Sequence, residues 1–560
     1  MSMVITKPLR LFAQKFGRSE HSHPMEGILR PAVELNTAFV AGCAAMPFLV
    51  VPQFFMISRI YGLLVGSVLA GFALRRLAQG LLVVQYKIMI NKTPKFSLSI
   101  KQLSNLAKPK KIYVGEGFRW KNNHTQRLYD LETITSFSHY LKHKENDGVL
   151  GGKPHIHGVG SDAEMPIYTD FDDRIGHMLV YGQSRSGKSR FLDSNVEQDM
   201  ATGEAICVID PKGDPQSFKR FLLSARKTGR IKDVRILHLG FPDSSVRYNP
   251  IASYQKISEI AGRISSKLPS SGDSQAFASF AWRFVYIVTQ ALDLLKIDQT
   301  IAEIKKHILN LDSLLFLYAA HFLQKNELEF KSILDGVEYD EETLPRHRQG
   351  KTETTVKILN FFDSHDTDDV LASIISAFSY EKTYYDKITA SLLPFLEKLT
   401  TLGDLISPDG KSLLPLLTID DFVNDKLCLL VLLDGLSDPE ISKTFGSMFF
   451  ADMVSGCGKR YKEKEEFDPI YIHPDEFNDV IGDDFIPMLN KAGGAGIVVT
   501  AYTQTDQDIE LGFGGSSLGS TKALVAKGNF RTIASMRVAT EETAEYFGSS
   551  ALSVDRQIML

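Results

Sequence analysis

Between Met178 and Leu192 the chain reads MLVYGQSRSGKSRFL: an apolar run, a glycine-bounded loop and the start of a helix. No other stretch narrows the possible folds so far. Gly182, Gly187, Lys188 and Ser189 fit the phosphate-loop spacing GxxxxGK[ST]. Glycines let the backbone N–H groups of Gly182, Gln183, Ser184, Arg185, Ser186 and Gly187 converge on phosphate oxygens at a helix N-terminus, where the dipole favours anions. Lys188 would reach the β- and γ-phosphates, and the Ser189 hydroxyl would ligate Mg²⁺. At average composition the spacing arises by chance about once in fifty chains of this length. The strand before it and the helix after it separate it from a plain Gly/Ser turn. The expected ligands are ATP and Mg²⁺. Arg185, in mid-loop, has no explanation in the sequence.

Short apolar runs elsewhere predict the rest of a parallel sheet: AICVID (Ala205 to Asp210), VRILHL (Val234 to Leu239), LCLLVLLD (Leu427 to Asp434), IYIH (Ile470 to His473), GIVVTAY (Gly496 to Tyr502) and TIASMRV (Thr532 to Val538). Helical lengths separate them, so an α/β fold with helices on both faces is expected. From about Ile257 to Leu399 the strand signal fades into helical periodicity, which reads as an all-α domain inserted into the α/β domain.

A phosphate loop needs a second strand that ends in acids. PIYIHPDEFND supplies Asp475, to hold Mg²⁺ through water, and Glu476, to polarise the attacking water. Asp434, after LCLLVLLD, is the rival; it suits Mg²⁺ but brings no base beside it, so we favour the pair. Gln504 follows the next strand in TAYTQTD, as a γ-phosphate sensor or as a plain loop residue. Asp210, Lys212, Gly213 and Asp214 form DPKGD at a strand end; these residues make a tight turn well, and on physics alone it is one. KRFLLSARKTGRIKDVR (Lys219 to Arg235) carries seven basic residues against one acid, either a solvated helix face or a phosphate-backbone contact. His155 and His157 alternate at strand spacing with no third ligand nearby, which argues for a strand or loop rather than a metal pair.

The N-terminus is of another kind. From Ala38 to Leu74 the only charge is Arg59. One helix over this run would measure about 55 Å, nearly twice a bilayer core, so two spans with a turn near Ser58 and Arg59 are expected rather than a buried soluble hairpin or a secretory signal. Lys7, Arg10, Lys15, Arg18 and Arg30 before the run, and Arg75, Arg76 and Lys87 after it, place both ends in the cytoplasm. A length of 560 residues exceeds a single core. The expected organisation is a cytoplasmic segment over 1–36, a transmembrane hairpin over 37–86 and a stem over 87–170, then a nucleotide-binding domain over 171–256 and 401–560 with the helical insert over 257–400. The net charge of −4 excludes a globally basic nucleic-acid binder, though not a basic channel. Four scattered cysteines (Cys43, Cys207, Cys428, Cys457) exclude a disulfide framework or CxxC metal site.

The apolar hairpin, the phosphate loop, DPKGD, the helical insert, DEF and TQT occur in that order. With GEGFRW, HTQRLYDL, GGKPHIHGVG, HLGFP and RYNP they make the chain resemble type IV secretion coupling proteins, in particular the TraD branch of conjugative elements. The resemblance implies a RecA-like P-loop ATPase anchored in a bacterial inner membrane and assembled as a hexamer. It further implies a relaxase with single-stranded DNA as cargo and a type IV secretion channel as destination. Lys188, Ser189, Asp475, Glu476 and Gln504 fall on the corresponding motifs. One departure is NKAGGAG, with Gly493 where the family often has an arginine thought to act across the subunit interface. Lys491 lies two residues earlier, and Arg531 and Arg537 are candidate interface arginines. The alternatives are an FtsK-type DNA translocase, disfavoured by the short linker and the lack of a long C-terminal extension, and a docking scaffold for secreted effectors that uses nucleotide only to assemble.

Overall fold

A computed structural model describes residues 31–91, 110–132 and 165–547, apart from 269–273, 341–343, 346–347, 379–381, 409, 411, 464–466, 483–484 and 539, with isolated positions (12, 13, 15, 16, 102, 103, 106 and 108) elsewhere. The glycine-rich stretch with His155 and His157, and the C-terminal SVDRQIML, lie outside the described residues. The chain divides into two compact units, residues 1–169 with 545–560, and residues 170–544.

In the first unit, α1 (Val33–Val50) and α2 (Arg59–Asn91) form an antiparallel hairpin. At 1.5 Å per residue these helices measure about 27 and 50 Å. The chain reverses through a 3₁₀ turn over Pro52–Phe55 and Met56 at φ 56°, just ahead of the expected Ser58 and Arg59. Glycines let the helices close: a Cβ on Gly62 would lie 2.4 Å from Pro52 Cβ, and one on Gly66 2.6 Å from Leu49 Cγ. Close approach at small residues is how apolar helices pair where water supplies no driving force. Both helices are long and apolar enough to cross a membrane, and Phe39, Val40, Met46, Tyr61 and Val68 stand exposed, unlike the side chains of a buried core hairpin. Two apolar N-terminal helices of this kind fit a membrane anchor. Farther on, β1 (Lys111–Gly117) and β2 (Met165–Asp170) form a two-stranded sheet, and α3 (Asn122–Glu132) lies between them in sequence.

The second unit is built on a seven-stranded parallel sheet of β3 (Met178–Tyr181), β4 (Ala205–Asp210), β5 (Val234–His238), β8 (Cys428–Leu432), β9 (Ile470–Pro474), β10 (Ile497–Thr503) and β11 (Thr532–Ser535). These are the seven runs read from the sequence. Their order is β11-β3-β10-β9-β4-β8-β5. Every residue of β3, β4, β8, β9 and β10 is buried, which explains continuous apolar runs in place of alternation. On one face Val180, Ile206, Val208, Leu430 and Leu432 pack against Leu192, Val196 and Met200 of α5 (Lys188–Ala201) and Phe221 and Ala225 of α6 (Pro215–Lys227). A short helix α4 (Phe171–Ile175) leads into β3. Helices from Ser258–Ser265 to Lys382–Thr400 form the all-α insert. Its entry and exit are drawn together by two strands the sequence did not announce, β6 (Arg247–Tyr248) and β7 (Leu416–Leu417), paired in parallel. The loop strand β3 and the acidic strand β9 are separated by β10, and the architecture is that of a RecA-like P-loop domain with an all-α insertion. Cys43, Cys207 and Cys428 are free.

Candidate active site

The loop GQSRSGKS begins where β3 leaves the sheet at its C-terminal edge, the edge at which open parallel sheets hold ligands. Its start is an extension of the sheet: Gly182 N–H donates to Thr503 O and Gln183 N–H to Arg537 O, both at 3.0 Å. Its middle closes on itself through Ser186 N–H to Gln183 O, 3.1 Å. A Cβ at Gly182 would lie 2.6 Å from Ser186 Oγ and 3.2 Å from Met536 Cβ, so any larger residue there displaces the loop's own Ser186. Gly187 stands at φ 105°, where an L side chain is strained, and serves as N-cap of α5 without any side-chain cap hydrogen bond. The fourteen-residue helix therefore starts without a side-chain cap; Arg190 N–H turns back to Gly187 O at 2.9 Å, which leaves the N–H groups of Lys188 and Ser189 for an anion. Arg185 also takes a left-handed φ of 63°, at a cost of about 1 kcal/mol, and with Ser184 and Ser189 it stands exposed at the rim.

Lys188 does not face solvent. It is buried, and its Nζ donates to Glu476 Oε2 at 3.0 Å and lies 4.0 Å from Asp475 Oδ1. Both acids come off the end of β9, where Asp475 N–H still pairs with Ile209 O at 2.9 Å and Glu476 turns left-handed at φ 44°. That turn sends the two carboxylates to different neighbours. Glu476 also accepts from Lys212 Nζ at 2.5 Å on Oε1 and from Gln504 Nε2 at 3.1 and 3.3 Å. Side chains from a helix N-terminus (Lys188) and two strand ends (Lys212 and Gln504) thus meet on one carboxylate. Burial pushes the Glu476 carboxyl up, but the Lys188 and Lys212 ammoniums outweigh it and hold it below the usual carboxylate range. Asp475, partly exposed at 23%, is pushed up to about 6 by partial loss of water, with the Glu476 and Asp210 charges adding and Lys188 opposing.

Asp210, buried at the end of β4, accepts Lys212 N–H at 2.9 Å and Asp214 N–H at 3.1 Å; Asp214 caps α6 by accepting Gln216 N–H at 2.9 Å. DPKGD is therefore a tight turn, as physics alone expects, but one that delivers Lys212 to Glu476, which spacing could not reveal. Asp434 lies at the end of β8, two strands beyond β9, against Gly213 and Gly240. Arg537 is exposed beside the loop of its own chain, with its carbonyl paired to Gln183. Arg531 lies at the opposite end of β11, paired with Asp173 at 3.0 Å on the surface. Gly493 precedes β10, away from the loop, and a Cβ there would lie 3.1 Å from Ile175 O. Of Lys219 to Arg235, Arg220 pairs with Asp193 at 3.0 Å and Arg230 with Asp233 at 2.9 Å, so part of that charge is already used within the fold.

Beneath the site runs a buried network that the sequence did not signal. Arg174 of α4 grips Asp199 of α5 through two bonds of 2.6 and 2.7 Å. Asp199 Oδ2 also accepts from His473 Nε2 of β9 at 2.9 Å, and Asn195 of α5 donates to the Tyr502 hydroxyl of β10 at 3.0 Å. Its effect is to fix the loop helix against the two strands that carry Glu476 and Gln504. Tyr181 similarly donates to Asp506 at 2.9 Å, which pairs with Lys527 at 2.7 Å.

No protein-family profile matches the chain, and no curated protein matches it. Among solved structures, the unbound bacterial conjugative coupling protein TrwBdeltaN70 is similar with a TM-score of 0.41 and 14% identity over 66% of this chain and 70% of that one. The plasmid coupling protein TrwB in complex with ADP and Mg²⁺ gives 0.40 and 14% over 65% and 70%. VirB4 of Thermoanaerobacter pseudethanolicus gives 0.37 and 10% over 70% and 85%.

Proposed function

We propose that the chain is a membrane-anchored P-loop ATPase that acts as a coupling protein, delivering a relaxase-bound single DNA strand to a type IV secretion channel during conjugation. The observation that carries the ATPase reading is the convergence of Lys188, Lys212 and Gln504 on Glu476 beside an uncapped helix N-terminus. Gly182, Gln183 and Ser186 spend their N–H groups within the fold, against the sequence expectation that all six loop N–H groups face phosphate. The residues still fit ATP with Mg²⁺, since the remaining loop N–H groups and Lys188 would hold the phosphates, and Ser189 and Asp475 would hold the metal. Mg²⁺, when bound, supplies charge neutralisation on the phosphate oxygens. Glu476 takes the proton of the attacking water and Gln504 keeps its carboxylate oriented through the amide. Lys188 must leave Glu476 to serve the phosphates, so binding itself releases one oxygen of the base.

The coupling-protein reading is supported by the order of the parts: an apolar hairpin, a nucleotide-binding core and an all-α insert whose entry and exit lie side by side. In it the hairpin crosses the inner membrane twice with both termini in the cytoplasm, the insert receives cargo, and six copies form the working ring. The test compares transfer of a marked plasmid or element in cells carrying wild type or Lys188→Ala, alongside ATPase assays of the detergent-purified chain with single-stranded DNA. Loss of transfer and of DNA-stimulated ATPase is expected for Lys188→Ala and for Glu476→Gln. Transfer that persists without hydrolysis would select the docking scaffold instead. An active ATPase that binds neither DNA nor relaxase would refute the motor.

A further inference from the structure

The DPKGD turn is complete without the Lys212 side chain. Asp210 accepts the Lys212 and Asp214 N–H groups, Gly213 supplies φ 69°, and Asp214 starts the next helix. Any residue with a backbone N–H would serve at position 212. Yet this side chain, 46% exposed, reaches from the end of β4 to that of the adjacent β9 and places its ammonium 2.5 Å from Oε1 of a carboxylate that is only 8% exposed. Lys188 holds the other oxygen at 3.0 Å. Lys188 also lies 4.0 Å from Asp475, the acid assigned above to Mg²⁺; once the metal takes Asp475, two lysines on Glu476 exceed what neutralising it requires.

The excess has a use if one lysine is needed elsewhere. A buried carboxylate stripped of its cation is costly, so a lone Lys188–Glu476 pair would resist giving its ammonium to an arriving phosphate. Gln504 donates to Glu476 but carries no charge, and cannot take over. We propose that Lys212 is a positioning residue, the standing counterion that keeps Glu476 in place and so frees Lys188 for a nucleoside triphosphate. This rests on the phosphate-loop reading above. Nucleotide binding is then an exchange at Oε2 while the Lys212 bond at Oε1 stays closed.

The experiment is a double-mutant cycle on binding of a non-hydrolysable ATP analogue with Mg²⁺, titrated by fluorescence on the full chain in detergent, so that no turnover enters the readout. Lys212→Ala should weaken binding about tenfold, within the coupling range of contacting charged groups. Lys212→Arg, which keeps the charge and reach, should bind within about threefold of wild type. In a Glu476→Gln background there is no charge to hold, and adding Lys212→Ala should change the affinity less than about twofold. Equal losses in the two backgrounds would overturn the proposal, because Lys212 would then act on the nucleotide or the turn rather than through Glu476. So would a Lys212→Ala chain with wild-type affinity. Lys188→Ala separates the two levels: if it binds the analogue as wild type does, the phosphate-loop reading fails, whatever the cycle gives.

Discussion

Replacing Asp199 with alanine tests the idea that the buried network holds the site together. Its magnitude follows from what would be orphaned. The Arg174 and Asp199 side chains are 5% and 2% exposed, and that of His473 is 0% exposed. Without the carboxylate, the Arg174 guanidinium remains in the interior beside the uncharged face of Tyr471, 4.8 Å away. His473 Nε2–H, 2.9 Å from Asp199, loses its acceptor too. A broken buried pair costs about 3–5 kcal/mol, because the surviving charge keeps its desolvation penalty without its partner. Removing both charges should hurt less: in Arg174→Met with Asp199→Leu only the histidine is orphaned, at about 1–3 kcal/mol. Urea unfolding of the full chain in detergent, followed by circular dichroism, should rank wild type above the double variant and the double variant above Asp199→Ala. If Asp199→Ala unfolds within about 1 kcal/mol of wild type, or the double variant falls below the single, the network is not the brace described here.

Three further outcomes are expected. Gly182→Ala should weaken binding of an ATP analogue by roughly tenfold, since its Cβ would sit 2.6 Å from Ser186 Oγ, and adding Ser186→Ala should recover part of the loss in the same titration. Arg537→Ala should reduce ATPase in dilute monomer and assembled oligomer alike because Arg537 borders its own loop, whereas Arg531→Ala, at the far end of β11, should act only in the oligomer; both are read by ATPase rate against protein concentration. Stability should fall in mild acid: burial holds the His177 and His473 imidazoles below their usual range, so they fold neutral. Their contribution is complete above about pH 6.5 and is lost as pH falls from there towards the folded pKa values, by at most about 1.4 kcal/mol per unit for each histidine. Val499 N–H donates to His177 Nδ1 and Leu489 O faces Nε2, so a second proton breaks the first bond; His177→Gln should flatten the pH dependence of the urea midpoint.

The strands were legible because β3, β4, β8, β9 and β10 are buried on every residue, and a short run such as CLLVL has few other stable solutions. Their order was not, since nothing local in IYIHP says that it lies two strands from MLVY, with β10 between them. The phosphate loop was legible because its glycines answer to local constraints, φ 105° at Gly187 and the press of Ser186 at Gly182. Lys212 looked like part of a turn because the turn does exist; its partner is 264 residues away, and a lysine's reach leaves no trace in spacing. Asp199 gives no sign in the sequence, since its partners Arg174 and His473 sit on a different helix and a strand. Chemistry dictated by backbone geometry can be read along the chain, whereas chemistry assembled by long side chains across strand ends cannot.

Continuous contacts also run from the insert to Glu476. The insert's first helix, Ser258–Ser265, is fastened to the helix Pro439–Glu463: Arg263 donates to Asp452 at 2.9 Å, Ser455 to Glu259 at 2.8 Å, and Tyr248 to Asp452 at 2.6 Å. The segment leading into that long helix is tied to the DPKGD turn, through Leu433 N–H to Asp210 O at 3.0 Å and Gly435 N–H to Pro211 O at 2.6 Å. One residue further on, Lys212 holds Glu476. Continuity of contacts is not coupling; coupling needs an element with two arrangements that both ends bias. Lys212 meets that condition on the geometry: nucleotide binding leaves its bond to Oε1 closed, but the side chain is half-exposed and not needed for the turn, so a change relayed from the insert could open it. If it is that element, a ligand bound to the insert must alter nucleotide affinity and hydrolysis together, because both draw on the same carboxylate. A ligand that changes hydrolysis while leaving affinity untouched would put the switch elsewhere, with Gln504, whose amide touches Glu476 but holds no charge, as the next position to test.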